Sequence, residues 1–169
     1  GQTPPCCNLI VKYNIPNVVI GTEDPCSLVK GNGIKYLIEN KVNVICGILE
    51  NKCKKLNKRF FIYQKNKRPY IILKWAKSKD GYIAPKDQEK SFWMTSNKSK
   101  KKVHQWRSEE DSILVGTKTV VKDNPELTVR EISGKNPIRI VIDRDLSLDL
   151  KRKIFNQQSK TIIFNDKIN

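Results

Sequence analysis

The chain of 169 residues predicts an α/β fold built on parallel sheet, and three observations carry that prediction. Short runs rich in Val and Ile recur at residues 18–20, 42–46, 113–115, 138–142 and 161–164, each the length of a buried strand. Between them lie segments with apolar residues at helical spacing, so the order is strand, helix, strand, which is the βαβ pattern of a parallel sheet. A polar stretch, Gln64-Lys65-Asn66-Lys67-Arg68-Pro69, separates two such series. It predicts one domain over residues 1–66 and a second over residues 67–169.

In chain order, Thr3-Pro4-Pro5 stands before an apolar run at residues 8–13 and suits a helix start, since proline lacks only an amide that a first turn leaves unpaired. Cys6 and Cys7 then lie at a helix amino terminus, where a thiolate is favoured, or pack as small hydrophobes. Val18, Val19 and Ile20 read as a strand, Asp24-Pro25 as a turn, residues 28–39 as a helix interrupted by Gly31 and Gly33, and residues 42–47 as the next strand. Gly31-Asn32-Gly33 comes too late after its strand to be a dinucleotide fingerprint. Leu49, Leu56, Phe60 and Phe61 define a further helix over residues 49–61.

Residues 70–76 have strong β propensity and predict a strand that ends in the turn Ser78-Lys79-Asp80-Gly81. Lys74 lies on a solvated face of that strand or points into a cleft that uses its charge. Ser91-Phe92-Trp93-Met94-Thr95 forms an apolar patch, and Thr95 or Ser96 caps a helix over residues 97–111. Lys98 with Lys100-Lys101-Lys102 coats an exposed turn of it. His104 is the one histidine in the sequence, so neither a Ser-His-Asp triad nor a multi-histidine metal site is expected.

Residues 113–130 organise the second half: a buried strand at Ile113, Leu114 and Val115, a break at Gly116, a bend through Thr117 and Thr119 to Asp123-Asn124-Pro125, and a basic end at Arg130. Such a segment can set hydroxyls, amides and a guanidinium around an anion at the carboxyl end of a strand. Residues 138–143 read as a strand, residues 148–155 as a short helix and residues 161–164 as a last strand. The start at Gly1 without Met, and a sheet that stops one strand after a crossover, are read as cut ends.

Lys+Arg 33 against Asp+Glu 17 gives a formal charge of +16, which favours anionic partners; much of the lysine falls on helix-like segments where it solvates a face. Five cysteines without a secretory signal argue against a disulfide framework and for a reducing, cytoplasmic location. No apolar run approaches the roughly 20 residues of a membrane helix.

Several short motifs agree in order: Thr3-Pro4-Pro5-Cys6, Glu23-Asp24-Pro25, Lys74-Trp75-Ala76-Lys77-Ser78-Lys79-Asp80-Gly81, Trp93-Met94-Thr95, and Gly116, Thr119, Asp123, Pro125 with Leu127-Thr128-Val129-Arg130. From Gly1 to about Asp143 the chain resembles the bifunctional riboflavin-biosynthesis deaminase/reductase family. The resemblance implies the carboxyl-terminal part of a cytidine-deaminase-like zinc domain, followed by the amino-terminal part of a dihydrofolate-reductase-like domain that uses NADPH. Cys6 matches a zinc-binding cysteine. The family's His-Ala-Glu motif and its other cysteine would precede Gly1, so neither tight zinc nor deaminase activity is expected of these residues alone.

In the reductase part, the resemblance places Ala76, Trp93, Thr119 and Asp123 against NADPH. It places Ser91, Arg107, Leu127 and Arg130 against the substrate, a ribosylaminopyrimidine with a 5-phosphate. Lys74 matches an active-site lysine that would polarise or protonate the opened ribose. Arg144 stands where the family often has serine, and the family's glycine-rich phosphate segment would follow Asn169. The implied activity is reduction of a ribosyl side chain to ribityl, paired with pyrimidine deamination, on a small molecule and with neither nucleic acid nor membrane as partner. Homo-oligomerisation stays open. The rival readings are a basic nucleic-acid-binding α/β module, which needs a continuous basic stripe where the reductase needs Arg107 and Arg130 converging beside Trp93, and a catalytically inactive remnant.

Overall fold

In the computed structural model, residues 4–26, 29–86 and 93–167 are described, and the chain divides into two compact units, Gly1–Leu73 and Lys74–Asn169. The first unit carries α1 (Cys6–Lys12), β1 (Asn17–Ile20), α2 (Asn32–Glu39), β2 (Asn43–Cys46), α3 (Glu50–Leu56) and α4 (Lys58–Asn66). β1 and β2 pair in parallel, with Val19 opposite Ile45. The helix expected from residue 28 starts instead at Asn32, because Gly31 before it takes φ 71°, a left-handed conformation that glycine adopts without strain. The single helix expected over residues 49–61 is two. At Asn57 the side-chain amide donates to the Cys53 carbonyl at 3.0 Å, competing with the helix ladder, and the chain restarts as α4.

The second unit holds α5 (Asn97–Glu109), β3 (Ser112–Gly116), α6 (Thr117–Asp123), β4 (Ile138–Ile142) and β5 (Thr161–Phe164). The three strands form an all-parallel sheet in the order β3-β4-β5. Ser96 caps α5 by accepting from the Ser99 amide at 3.3 Å, as its position in the sequence predicts. Val120, Leu127, Val141, Leu148 and Ile154 make the core of this unit.

Four expectations for this half are corrected. Residues 70–76 form no strand, and Ile71, Leu73 and Trp75 are exposed; β propensity describes a side chain suited to a sheet surface, and no described strand lies alongside to supply hydrogen bonds. β3 is only half buried, since as an edge strand it leaves Leu114 56% exposed. The bend expected after Gly116 is a helix, α6. Residues 148–155 give only a 3-10 turn at Lys153–Phe155, because carboxylates take amides that a helix would need: Asp143 accepts from the Ser147 and Leu148 amides, and Asp149 from Lys151.

Asp143 is 2% exposed at the carboxyl end of β4 and joins the elements around it. Thr117, the first residue of α6, donates its hydroxyl to the Ile142 carbonyl at 2.8 Å and to the Asp143 carboxylate at 3.4 Å. Burial alone would raise the Asp143 carboxyl, yet hydrogen bonds from the Leu148 and Ser147 amides and from the Ser147 and Thr117 hydroxyls outweigh it, and its pKa is lowered. A lowered folded value means that this stabilisation is complete above the unfolded carboxyl value, about 3.9, and is lost as pH falls through the folded one. Denaturant midpoints measured below about pH 5 are therefore expected to fall less steeply with acid in Asp143→Asn than in the unsubstituted chain. Parallel slopes would remove Asp143 from the acid response.

Candidate functional site

The side chains with the most concentrated charge chemistry lie between α5 and residues 124–131. This segment leaves α6 through Asn124 at φ 42° and passes Leu127 at φ 55°. A left-handed leucine costs roughly 1–2 kcal/mol, which burial of the Leu127 side chain to 5% exposure in the core offsets. With Leu127 turned inward, Glu126, Thr128 and Arg130 are left to meet one another and α5.

Thr128 is the meeting point. Arg107, half-buried on α5, donates to the Thr128 carbonyl at 3.2 Å, and the Arg130 guanidinium donates to the Thr128 hydroxyl at 2.7 Å. Arg130 also pairs with the Glu126 carboxylate at 2.9 Å while keeping an exposed side chain. His104, three residues before Arg107 and 1% exposed, accepts the Arg130 backbone amide on Nδ1 at 3.0 Å. Burial lowers the Arg107 pKa and the nearby Arg130 charge adds to it, although a guanidinium stays cationic throughout the physiological range. Among the described residues the Arg107 Nε has no hydrogen-bond partner. Lys100 bonds Glu131 at 2.5 Å, and its ammonium lies 5.9 Å from the centre of the Trp93 ring, so Trp93 adjoins the cluster through that pair.

The other candidates belong to other segments of the chain. Thr119 and Asp123, four residues apart on α6, are exposed; Thr117 and Asp143 fix the start of that helix, and the Arg152 guanidinium bonds the Val121 carbonyl at 3.1 Å near its end. Lys74 is exposed and Ala76 half-buried on the stretch before the Ser78–Gly81 turn. Leu127 contributes its side chain to the core, so only its backbone faces the cluster. Ser91 falls outside the described residues. Arg144 is exposed and lies within 4 Å of the Asp145 and Asp166 carboxylates, at 3.7 and 3.8 Å. The residues that sequence reasoning passed over are His104, Glu126 and Thr128. The spacing of His104 to Arg107, three along a helix, was the available signal that they share a face.

Cys6 is exposed at the start of α1, and among the described residues no group of three His, Cys, Asp or Glu side chains could hold a metal ion. On α6, Thr119 presents a hydroxyl and Asp123 a carboxylate that could meet sugar hydroxyls, and open space stands where a Cβ on Gly116 would be. A shallow groove of about 550 Å³ along α5 is lined by Lys98, Lys101 and Lys102, whereas Arg107 and Arg130 converge on Thr128 away from that lysine row. No helix among the described residues is long and apolar enough to cross a membrane.

Known proteins give a consistent comparison. Riboflavin biosynthesis protein RibD of Aquifex aeolicus is 40% identical over 171 residues, covering 100% of this chain and 48% of its own length. A crystal structure of a diaminohydroxyphosphoribosylaminopyrimidine deaminase/5-amino-6-(5-phosphoribosylamino)uracil reductase from Thermotoga maritima superposes with TM-score 0.90 at 42% identity, over 99% of this chain and 47% of that one. Acinetobacter baumannii RibD gives TM-score 0.88 at 32% identity, over 98% and 48%. The chain thus spans about half the length of the relatives it matches. The family model of the RibD C-terminal domain matches residues 69–168, and the chain belongs to that family.

Proposed function

We propose that residues 67–169 are part of an NADPH-dependent reductase of riboflavin biosynthesis, which converts the ribosyl side chain of a phosphorylated aminopyrimidine to ribityl, and that residues 1–66 are part of a zinc-deaminase-like domain. The observation that carries the reading is the convergence of Arg107 and Arg130 on Thr128. Two guanidinium groups so held match the geometry of a phosphate better than scattered lysines do. Glu126 partly neutralises Arg130 without ligand, and an arriving phosphate would compete for the same donors.

NADPH, when bound, supplies the hydride that reduces the first carbon of the opened ribosyl group. Thr119 and Asp123 would hold the cofactor from α6, with Ala76 and Trp93 against it; Ser91 and the Leu127 backbone would line the substrate. Arg107 and Arg130 hold the phosphate and so fix the sugar, and Lys74 delivers a proton to the opened ribosyl group as it is reduced. The protein's work is alignment and charge.

In the full-length enzyme, Arg130→Ala is expected to raise KM for the phosphorylated substrate about 10-fold, equivalent to one charge-assisted hydrogen bond of roughly 1.5 kcal/mol, with KM for NADPH held within about 2-fold. Steady-state oxidation of NADPH at varied concentrations of each reactant measures both. Equal rises in the two constants would refute the assignment of Arg130 to the substrate's phosphate.

A further inference from the structure

We propose that His104, as a neutral imidazole, is a positioning residue that fixes the backbone at Arg130 and thereby sets the spacing of Arg107 and Arg130 for an anionic ligand; the inference rests on the phosphate reading above. His104 is the one histidine of the sequence, is 1% exposed, and reaches across 26 residues of chain to accept the Arg130 amide on Nδ1 at 3.0 Å. An imidazole that accepts on Nδ1 carries its proton on Nε2. One turn further along α5, Arg107 donates to the carbonyl of Thr128. A single face of α5 therefore grips the 128–130 segment at two backbone groups, and the Arg130 guanidinium, bonded to the Thr128 hydroxyl, adds a third tie within the segment.

The bland account of a buried histidine is a satisfied core side chain. Two features point further. The amide it holds belongs to the residue whose guanidinium would bind the ligand, so a shift of that backbone moves the ligand's own donor. The surroundings also favour the acceptor form: burial first, then Arg107, Arg130 and Lys100, lower its pKa, while Glu131 opposes them. A protonated ring would turn a donor toward the Arg130 amide, also a donor. It would add a cation between two arginines as well.

The test uses the placement of the acceptor. Asparagine sets its carbonyl oxygen near the Nδ1 position, glutamine sets one near Nε2, and phenylalanine fills the volume with no acceptor. Titrating the chain with ribose 5-phosphate at neutral pH, with ribose as the uncharged control, is expected to give His104→Asn an affinity within about 3-fold of the unsubstituted chain. His104→Gln and His104→Phe are expected to bind about 10-fold more weakly, the loss expected when one hydrogen-bonded contact is misplaced. Should the phenylalanine variant not fold, the Asn and Gln pair decides alone. Glutamine binding as tightly as asparagine would overturn the inference. Binding that survives Arg130→Ala, or a folded unsubstituted chain that does not take ribose 5-phosphate, would overturn the phosphate reading and this inference with it.

Discussion

Arg139→Met is expected to destabilise the second unit by about 3 kcal/mol, enough to lower its melting temperature by roughly 15 °C. Arg139 lies on β4, is fully buried, and spends its guanidinium on oxygen acceptors from three places in the chain. NH1 donates to the Glu126 carbonyl at 3.2 Å and to the Asn156 side chain at 2.8 Å, and NH2 donates to the Asn156 carbonyl at 2.5 Å and to the Ser159 carbonyl. Two effects of opposite sign compete on removal. Losing a buried charge relieves desolvation, which also pushes the guanidinium pKa down, and among the described residues its Nε has no partner to lose. Against that, four acceptors lose their donors, and backbone carbonyls cannot be redesigned along with the side chain. The second effect wins because methionine offers no donor at all. Thermal melts followed by circular dichroism check it; a melting temperature unchanged within about 2 °C would mean that desolvation relief cancels the lost bonds. Because Arg139 also holds the carbonyl of Glu126, the partner of Arg130, the loosened variant should bind a phosphorylated ligand less well.

Lys74→Met is expected to lower kcat of the full-length enzyme about 100-fold while leaving both KM values within about 3-fold, the lower end of what a positioned proton donor supplies. Lys74→Arg separates charge from proton delivery. A guanidinium keeps the positive charge but does not give up its proton near neutral pH, so it should recover little of the loss if Lys74 is the donor and much of it if Lys74 acts by charge alone. Lys74 is exposed on a stretch without strand pairing, and an exposed lysine is more often solvated than catalytic, so the kcat effect carries the whole assignment. A kcat within about 3-fold of the parent would return Lys74 to the surface.

Local chemistry was enough to locate several elements. Val and Ile runs marked β1 to β5, Ser96 marked the start of α5, and the turn at Ser78 to Gly81 appears with the Gly81 amide donating to the Ser78 carbonyl at 3.1 Å. The cap and the turn are decided by interactions that span a few residues, and the strand runs by side chains suited to a buried sheet, so composition and spacing contain the signal. The arginines were legible as chemistry for the same reason: residue type alone says that a guanidinium suits a phosphate.

What sequence by itself determined, then, was the alternation of elements, the parallel α/β class and the residue types able to meet an anion. Tertiary structure decided the rest. Whether residues 70–76 become a strand depends on a neighbour to bond with, and whether 148–155 becomes a helix depends on Asp143 taking its amides from the end of β4. That Arg107 and Arg130 meet at Thr128, with His104 behind them and Leu127 turned into the core, follows from packing the 124–131 segment on α5. The 70–76 stretch and the Arg107–Arg130 meeting depend on a partner strand or on contacts more than 20 residues apart, of which short-range spacing holds no record; the Asp143 contacts span only four and five residues, but which amides that carboxylate takes depends on where β4 ends in the fold.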